Sequence, residues 1–317
     1  MSATAPGPGR TSPGGSSASW RLTDRAGLAL AWFFGLLFCA ICGAIVIFLA
    51  VKGISDLRPD LIWTNPGAGP TGETGGFLDP LIGTLVVGGI GIGIAGPVGV
   101  WTAVWLSEYG RPAPLARVVE STIEMLAGAP SVVLALFGIL LFESKVLGFL
   151  SATNGGIVFG KSFFAAGAML SLIALPIVVT TVREGLQAIP NHVREASYAL
   201  GKTRITTIRR VLLPAARPSL ITGNMLAFGH MIGDTAIIVF LLGDTQILQG
   251  VGGVPGLNIL RGTGSTLTSY IFDNAPTGDL NQPQKAYAAA FVLILIVLAL
   301  NVLVDVFGRR SREARWS

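Results

Sequence analysis

Charge is scarce in this sequence. Asp, Glu, Lys and Arg together supply 12% of its 317 residues, about half the ~25% of an ordinary soluble domain. A water-soluble fold could not cover the apolar surface that remains, so a soluble enzyme is excluded. Cysteine is nearly absent as well: Cys39 and Cys42 are the only two. Both lie in one apolar run, where a C-x-x-C finds no polar shell to lower a thiol pKa. They read as small packing residues, not as a redox pair. Histidine occurs twice, at His192 and His230, without an H-E-x-x-H. That leaves no catalytic zinc constellation and no intramembrane enzyme, and no metal site is expected.

Long apolar runs take the place of charge. Crossing a bilayer needs about 20 residues. The stretches Ala26–Val51, Pro80–Ser107, Met125–Phe142, Ser162–Val182, Pro218–Gly243 and Ala286–Val304 qualify or nearly so, the fifth being interrupted by Asp234. Backbone in lipid must satisfy its own hydrogen bonds, which helices do. The expectation is an all-α polytopic membrane protein with six transmembrane helices. The net charge of +5 comes from 17 Arg and 5 Lys against 17 acids, and its placement is informative. With the N-terminus inside, sixteen of the 22 basic residues fall on inner segments and six on outer ones, so both termini are assigned to the cytoplasm. No nucleic-acid partner is needed to explain the excess; the lipid bilayer is.

The expected organisation is a disordered cytoplasmic tail over residues 1–22, a permease domain over 23–310 and a basic cytoplasmic tail over 311–317. A cytoplasmic loop spans 183–217, and outer loops span 52–79 and 244–285. The second outer loop is dense in Gly, Thr and Asn and reads as an ordered, irregular surface. The run at Ala26 is too long for a cleaved signal and reads as an anchor.

Two motif matches are set aside. Gly91-Ile-Gly93-Ile-Ala-Gly96 spells G-x-G-x-x-G, but it lies mid-span with no acid before Glu108, so no dinucleotide site follows. Gly89 and Gly93, four apart, read instead as a close approach for another helix. Gly155 to Ser162 spells G-x-x-x-x-G-K-S. It lacks the strand and the partner Asp of a P-loop, and span parity puts it outside, where ATP is absent.

The segment from Pro190 to Pro214 is polar and carries Arg194, Lys202, Arg204, Arg209 and Arg210. Pro190 and Asn191 can open a helix and Gly201 can close it in the left-handed conformation. Val193, Ala196, Ser197 and Leu200 share one face of that helix, a small apolar surface suited to a partner's groove. Within it Glu195-Ala196-Ser197, Gly201 and Val211-Leu-Leu213-Pro214 resemble the EAA signature of permease subunits of bacterial ABC importers, with Ser197 for the second Ala and Val211 for Ile. The resemblance runs from about Pro80 to Asp305. Gly128-Ala-Pro-Ser131-Val-Val133 resembles the Pro-Ser turn in span three of phosphate-importer permeases of the A type, and Gly233-Asp234-Thr235-Ala236 resembles their Gly-Glu-Thr-Ala in span five.

The resemblance implies the type I ABC importer permease fold and a subunit that moves inorganic phosphate across the cytoplasmic membrane. It implies no cofactor on this chain, with ATP and Mg held by a partner. The implied partners are an ATP-binding subunit dimer, a second homologous permease and an extracytoplasmic substrate-binding protein. Glu195, Ala196, Ser197, Leu200, Gly201 and Pro214 would couple the chain to the ATPase. Ser131, Thr180, Arg183, His230, Asp234 and Thr235 would line the translocation pathway. His230 and Thr180 stand where the family has Arg, and Asp234 where it has Glu. An importer of another oxyanion and a secondary transporter are therefore the rival readings.

Ionisable residues inside spans are costly and hence candidates for function. His230 and Asp234, four apart, could pair across one helical face, either as a structural pair or as a pathway pair. Pro97, Pro130 and Ser131 would free backbone groups, and with Thr84, Thr180 and Thr181 could line a polar route. Arg117, Glu120 and Glu124 suggest a second helix near the membrane, and Asp305 with Arg309 a cap on the last span.

Overall fold

The computed structural model describes residues 22–66, 75–110, 112–144, 146–150, 153–154, 157–158, 160–243 and 260–313. Helix α1 runs over Leu22–Asp56. Its part up to Ala50 forms a compact unit of its own, apolar all round, with Trp32, Phe38 and Ile47 exposed. A helix with no polar face needs hydrocarbon around it. Cys39 and Cys42 are free and exposed.

The second unit begins at Val51. It contains α2 (Pro59–Trp63), α3 (Leu78–Val104), α4 (Ala113–Ala127), α5 (Ser131–Glu143), α6 (Phe163–Gln187) and α7 (Asn191–Ala199). After these come the short helices α8 (Arg204–Thr207) and α9 (Leu213–Ala215), then α10 (Arg217–Gly233), α11 (Ala236–Leu242), α12 (Leu267–Asn274) and α13 (Pro283–Glu313). A hairpin pairs Thr153 with Val158 and Asn154 with Ile157. It is the only β-sheet among the described residues.

Helix α6 is the centre. Met169, Leu170, Val178, Val182 and Leu186 on it are buried among Val87 and Ala95 of α3, Ala227 and Met231 of α10, and Ile237 and Leu241 of α11. Small residues set the spacing. A Cβ on Gly99 would meet Val178, and one on Gly167 would meet Ile90. The close approach falls on Gly88, Gly91 and Gly99, whereas Gly89 and Gly93 face open space. Within the described residues the glycines that admit a neighbouring helix are therefore others than the expected Gly89 and Gly93.

Among the described residues four helices are long and apolar enough to cross a membrane, and two bent helix pairs bring the number to six where each pair counts as one span. The third expected span, Met125–Phe142, falls on the end of α4 and on α5, which meet at 106°, and the fifth falls on α10 and α11, which meet at 67°. Pro130 makes the first break: it lacks an N–H, takes extended backbone with ψ of 132° and disfavours helix at the residue before it. Helix α5, with 13 residues, is about 20 Å long and falls short of the ~30 Å hydrocarbon layer. A helix does form over the Arg117, Glu120 and Glu124 segment, as α4.

The second outer loop departs from expectation. Its residues Ser265 to Tyr270 are buried, with Phe77, Leu267, Tyr270, Ala288 and Ala289 forming a small second core. Thr84, expected to line a polar route, is also buried: it donates to the Pro80 carbonyl at 2.8 Å and accepts from the Leu267 N–H at 2.9 Å. Burial pushes the Tyr270 phenol up to about 12, so it stays neutral at physiological pH. Helix α13 continues to Glu313, past the expected boundary at 310. The expected Asp305–Arg309 pair lies outside the described side chains.

Candidate functional site

Helix α7 forms where the sequence places it. Pro190 precedes it with extended backbone, φ −61° and ψ 145°. Gly201 ends it at φ +73°, with the Gly201 N–H donating to the Tyr198 carbonyl at 2.9 Å and the Lys202 N–H to that of Ser197 at 3.2 Å. This is a Schellman ending. A Cβ on Gly201 would meet nothing within 4 Å, so backbone conformation alone calls for glycine there.

The two faces of α7 have different surroundings. His192, Glu195, Ala196, Ala199 and Leu200 recur at three- and four-residue spacing and are exposed, Leu200 at 78%. Val193 and Ser197 turn inward, Val193 against the main core and Ser197 onto the Thr207 hydroxyl at 2.8 Å. The single face expected from Val193, Ala196, Ser197 and Leu200 is thus split. Of the expected coupling residues, Glu195, Ala196, Leu200, Gly201 and Pro214 are exposed and Ser197 is buried.

Arg194 is the strongest tie between α7 and the spans, and the sequence reading missed it. Its Nε donates to Glu108 Oε1 at 3.1 Å, its Nη1 to the Ile189 carbonyl at 2.7 Å and its Nη2 to the Leu186 carbonyl at 2.8 Å. Glu108 follows Val104 by one turn and stays on the buried face, its side chain 5% exposed. It sits in a π turn, Trp105–Tyr109, that ends α3. The one available signal was position, since Arg194 adjoins inward Val193 and precedes inward Ser197 by three.

Arg204 lies over the Tyr109 ring, 5.1 Å from its centroid, within reach of a cation–π attraction. Behind α7 is a polar cavity of about 380 Å³, lined by Leu106, Glu108, Gln187, Asn191, Arg194 and Tyr198 among others. A second π turn, Ile208–Leu212, precedes Pro214. Proline cannot close an ordinary helical turn onto the residue four before it, and the wider turn accommodates that.

The expected pathway residues do not form one cluster. Ser131 begins α5, after the first helix break, and Asp234 and Thr235 make the second. Asp234 Oδ1 accepts the Ile237 N–H at 2.9 Å and so caps α11. The helix ends at Gly233, so His230 and Asp234 lose the one-face geometry expected of them, and no ion pair joins them. His230 and Thr180 are exposed along their helices, Thr180 donating back to the Pro176 carbonyl at 2.8 Å. Thr181 is half-buried and faces Gly223. Arg183 pairs with Glu120 of α4 at 2.5 Å, while its Nε is buried without a partner.

Ser162 has no free hydroxyl for a nucleotide. It is fully buried, donates to the Leu150 carbonyl at 2.9 Å and accepts the Ala165 N–H at 3.0 Å as the cap of α6. A two-residue strand, Ile157–Val158, does precede it, which the sequence reading had not foreseen. Among the described residues no three His, Cys, Asp or Glu side chains group to hold a metal.

Bent helix pairs around a central apolar helix are the architecture of a polytopic membrane protein. The chain belongs to the family of binding-protein-dependent transport system inner membrane components, which matches residues 95–313. It is a multi-pass membrane protein. It is similar to phosphate transport system permease protein PstA 1 of Mycobacterium tuberculosis, 34% identical over 242 residues, 76% of this chain and 73% of that one. Phosphate transport system permease protein PstA of Haemophilus influenzae is 32% identical over 268 residues, 84% and 87% of the two chains. A bacterial alginate ABC transporter crystallised with its alginate-bound periplasmic protein shares the fold, with a TM-score of 0.60 at 15% identity over 92% of this chain and 95% of that one.

Proposed function

We propose that the chain is the permease subunit of an ABC importer that carries inorganic phosphate inward across the cytoplasmic membrane. The observation that carries the coupling reading is α7: its exposed face has no cover among the described residues, while its buried face is tied to the spans. A partner groove that receives Glu195, Ala196 and Leu200 makes α7 a lever. ATP binding and hydrolysis then belong to a dimeric partner on the side where α7 lies, with Mg bound there and no cofactor on this chain. A homologous second permease completes the path, and a binding protein delivers phosphate to the outer side.

Phosphate as cargo is supported by the names of the relatives and by where the phosphate-permease-like motifs fall. Gly128-Ala-Pro-Ser131 and Gly233-Asp234-Thr235-Ala236 occupy the two helix breaks. Broken helices in transporters expose backbone groups to substrate. With His230 and Thr180 in place of Arg, this half of the path carries little fixed positive charge, which suits passage more than capture. Tight recognition then belongs to the binding protein.

The test is uptake of radiolabelled phosphate by proteoliposomes holding the complete complex. Uptake should need ATP inside and the binding protein outside, and should resist excess sulfate. Uptake driven by an ion gradient without ATP would make the chain a secondary transporter; loss of the signal to sulfate would change the oxyanion.

A further inference from the structure

Helices α6 and α7 are joined by only Ala188, Ile189 and Pro190. A short turn around a proline can swivel, so a push on α7 need not reach α6 through the backbone alone. Arg194 spans that turn. Its guanidinium takes the Leu186 and Ile189 carbonyls at 2.8 and 2.7 Å, reaches Asn191 Oδ1 at 3.4 Å and bonds Glu108 of α3 at 3.1 Å. The Leu186 carbonyl belongs to the last turn of α6, where a helix leaves acceptors unpaired and favours a cation, and the Ile189 carbonyl belongs to the turn itself.

The surroundings make the tie stiff. The Arg194 and Glu108 side chains are 15% and 5% exposed, so water competes little for their hydrogen bonds. A guanidinium is a rigid planar fork, and one side chain can hold several acceptors at fixed angles. Neighbouring Glu195 is on the opposite, exposed face. One turn of α7 therefore has the partner's side and the spans' side back to back.

We infer that Arg194 is the positioning residue that transmits displacement of α7 to α3 and α6, locking the Ala188–Pro190 turn so that helix and spans move as one body. The inference rests on the importer reading above and deepens it. A salt bridge that only stabilised the fold would lower the amount of intact complex and leave the remaining complexes fully coupled.

The experiment compares the unmodified complete complex with Arg194→Gln and Arg194→Lys complexes in proteoliposomes. It measures phosphate taken up and ATP hydrolysed per assembled complex. Arg194→Gln should lower phosphate moved per ATP by about tenfold or more while hydrolysis falls less than twofold. Arg194→Lys keeps the charge but cannot span Glu108 and both carbonyls, so it should fall between. An unchanged ratio of phosphate to ATP in both variants, whether at full or reduced yield, overturns the inference. Failure of the unmodified complex to show ATP-dependent uptake is a different result, which removes the importer reading itself.

Discussion

Residues 183–217 and residues 262–283 both connect membrane helices and both are rich in polar side chains, yet they meet opposite fates. In the first, Glu195, Leu200, Arg204, Arg209 and Arg210 are exposed. In the second, Gly262 and Gly264 through Tyr270 are buried. The kind of polarity decides. The first segment carries Lys and Arg, whose heads are costly to desolvate. The second carries no Lys or Arg and many hydroxyls, and hydroxyls can be satisfied by nearby backbone. Thr266 and Ser269 form a reciprocal capping box at the start of α12, and the Thr266 and Thr268 hydroxyls bond at 2.8 Å. A segment that meets its own hydrogen-bonding needs can be buried.

The comparison breaks most visibly at Gly83. A Cβ there would overlap the Ser265 carbonyl oxygen, and backbone of a packed segment yields poorly. Gly83→Ala should cost about 3 kcal/mol, the upper end for overpacking, seen as a lower thermal midpoint and poor yield. An unchanged midpoint would mean that residues 262–270 are not held against α3. Leu200→Ala in the other segment should leave the midpoint alone, because the side chain is 78% exposed. Its loss should appear in affinity for the ATP-binding partner, about 2 kcal/mol or roughly 30-fold for an apolar side chain buried on docking. Equal affinity by titration would remove Leu200 from the docking face.

Helix ends should behave alike in both segments, which sharpens the contrast. Gly201→Ala forces a side chain into left-handed backbone, at about 1 to 2 kcal/mol, and Gly201→Asn should recover part of that. Thr266→Ala removes the cap of α12, at about 1 kcal/mol. Comparable drops in midpoint are expected. A much larger drop for Thr266→Ala would show that its hydroxyl holds the buried loop together beyond capping one helix.

The sequence made some of this readable and hid the rest for physical reasons. Apolar runs located the candidate spans among the described residues, because lipid imposes one requirement on all of them. Pro190 and Gly201 bounded α7, because each acts on its own backbone. The breaks at Pro130 and Asp234 were marked by residue type, but bends of 106° and 67° depend on what the half-helices pack against. The burial of Ser265 to Tyr270 depends on Gly83 and Thr84, far away in the chain. Arg194 and Glu108 are 86 positions apart, and neither residue looks unusual in its own neighbourhood.

Ser197 is where the smallest effect is the most instructive. The resembling signature has Ala at this position, and the hydroxyl here looked like a mild departure on a docking face. In the structure it is 7% exposed and bonds Thr207 Oγ1 at 2.8 Å. Removing it does not orphan its partner, because the Thr207 hydroxyl also reaches the Thr203 carbonyl at 3.1 Å. Ser197→Ala should therefore cost at most about 1 kcal/mol in stability, the net value of one hydrogen bond. Partner affinity should be unchanged, since the residue never meets the partner. A loss of affinity with the midpoint intact would place Ser197 on the outer face and turn α7 by about a third of a turn from the orientation on which its two-faced role depends.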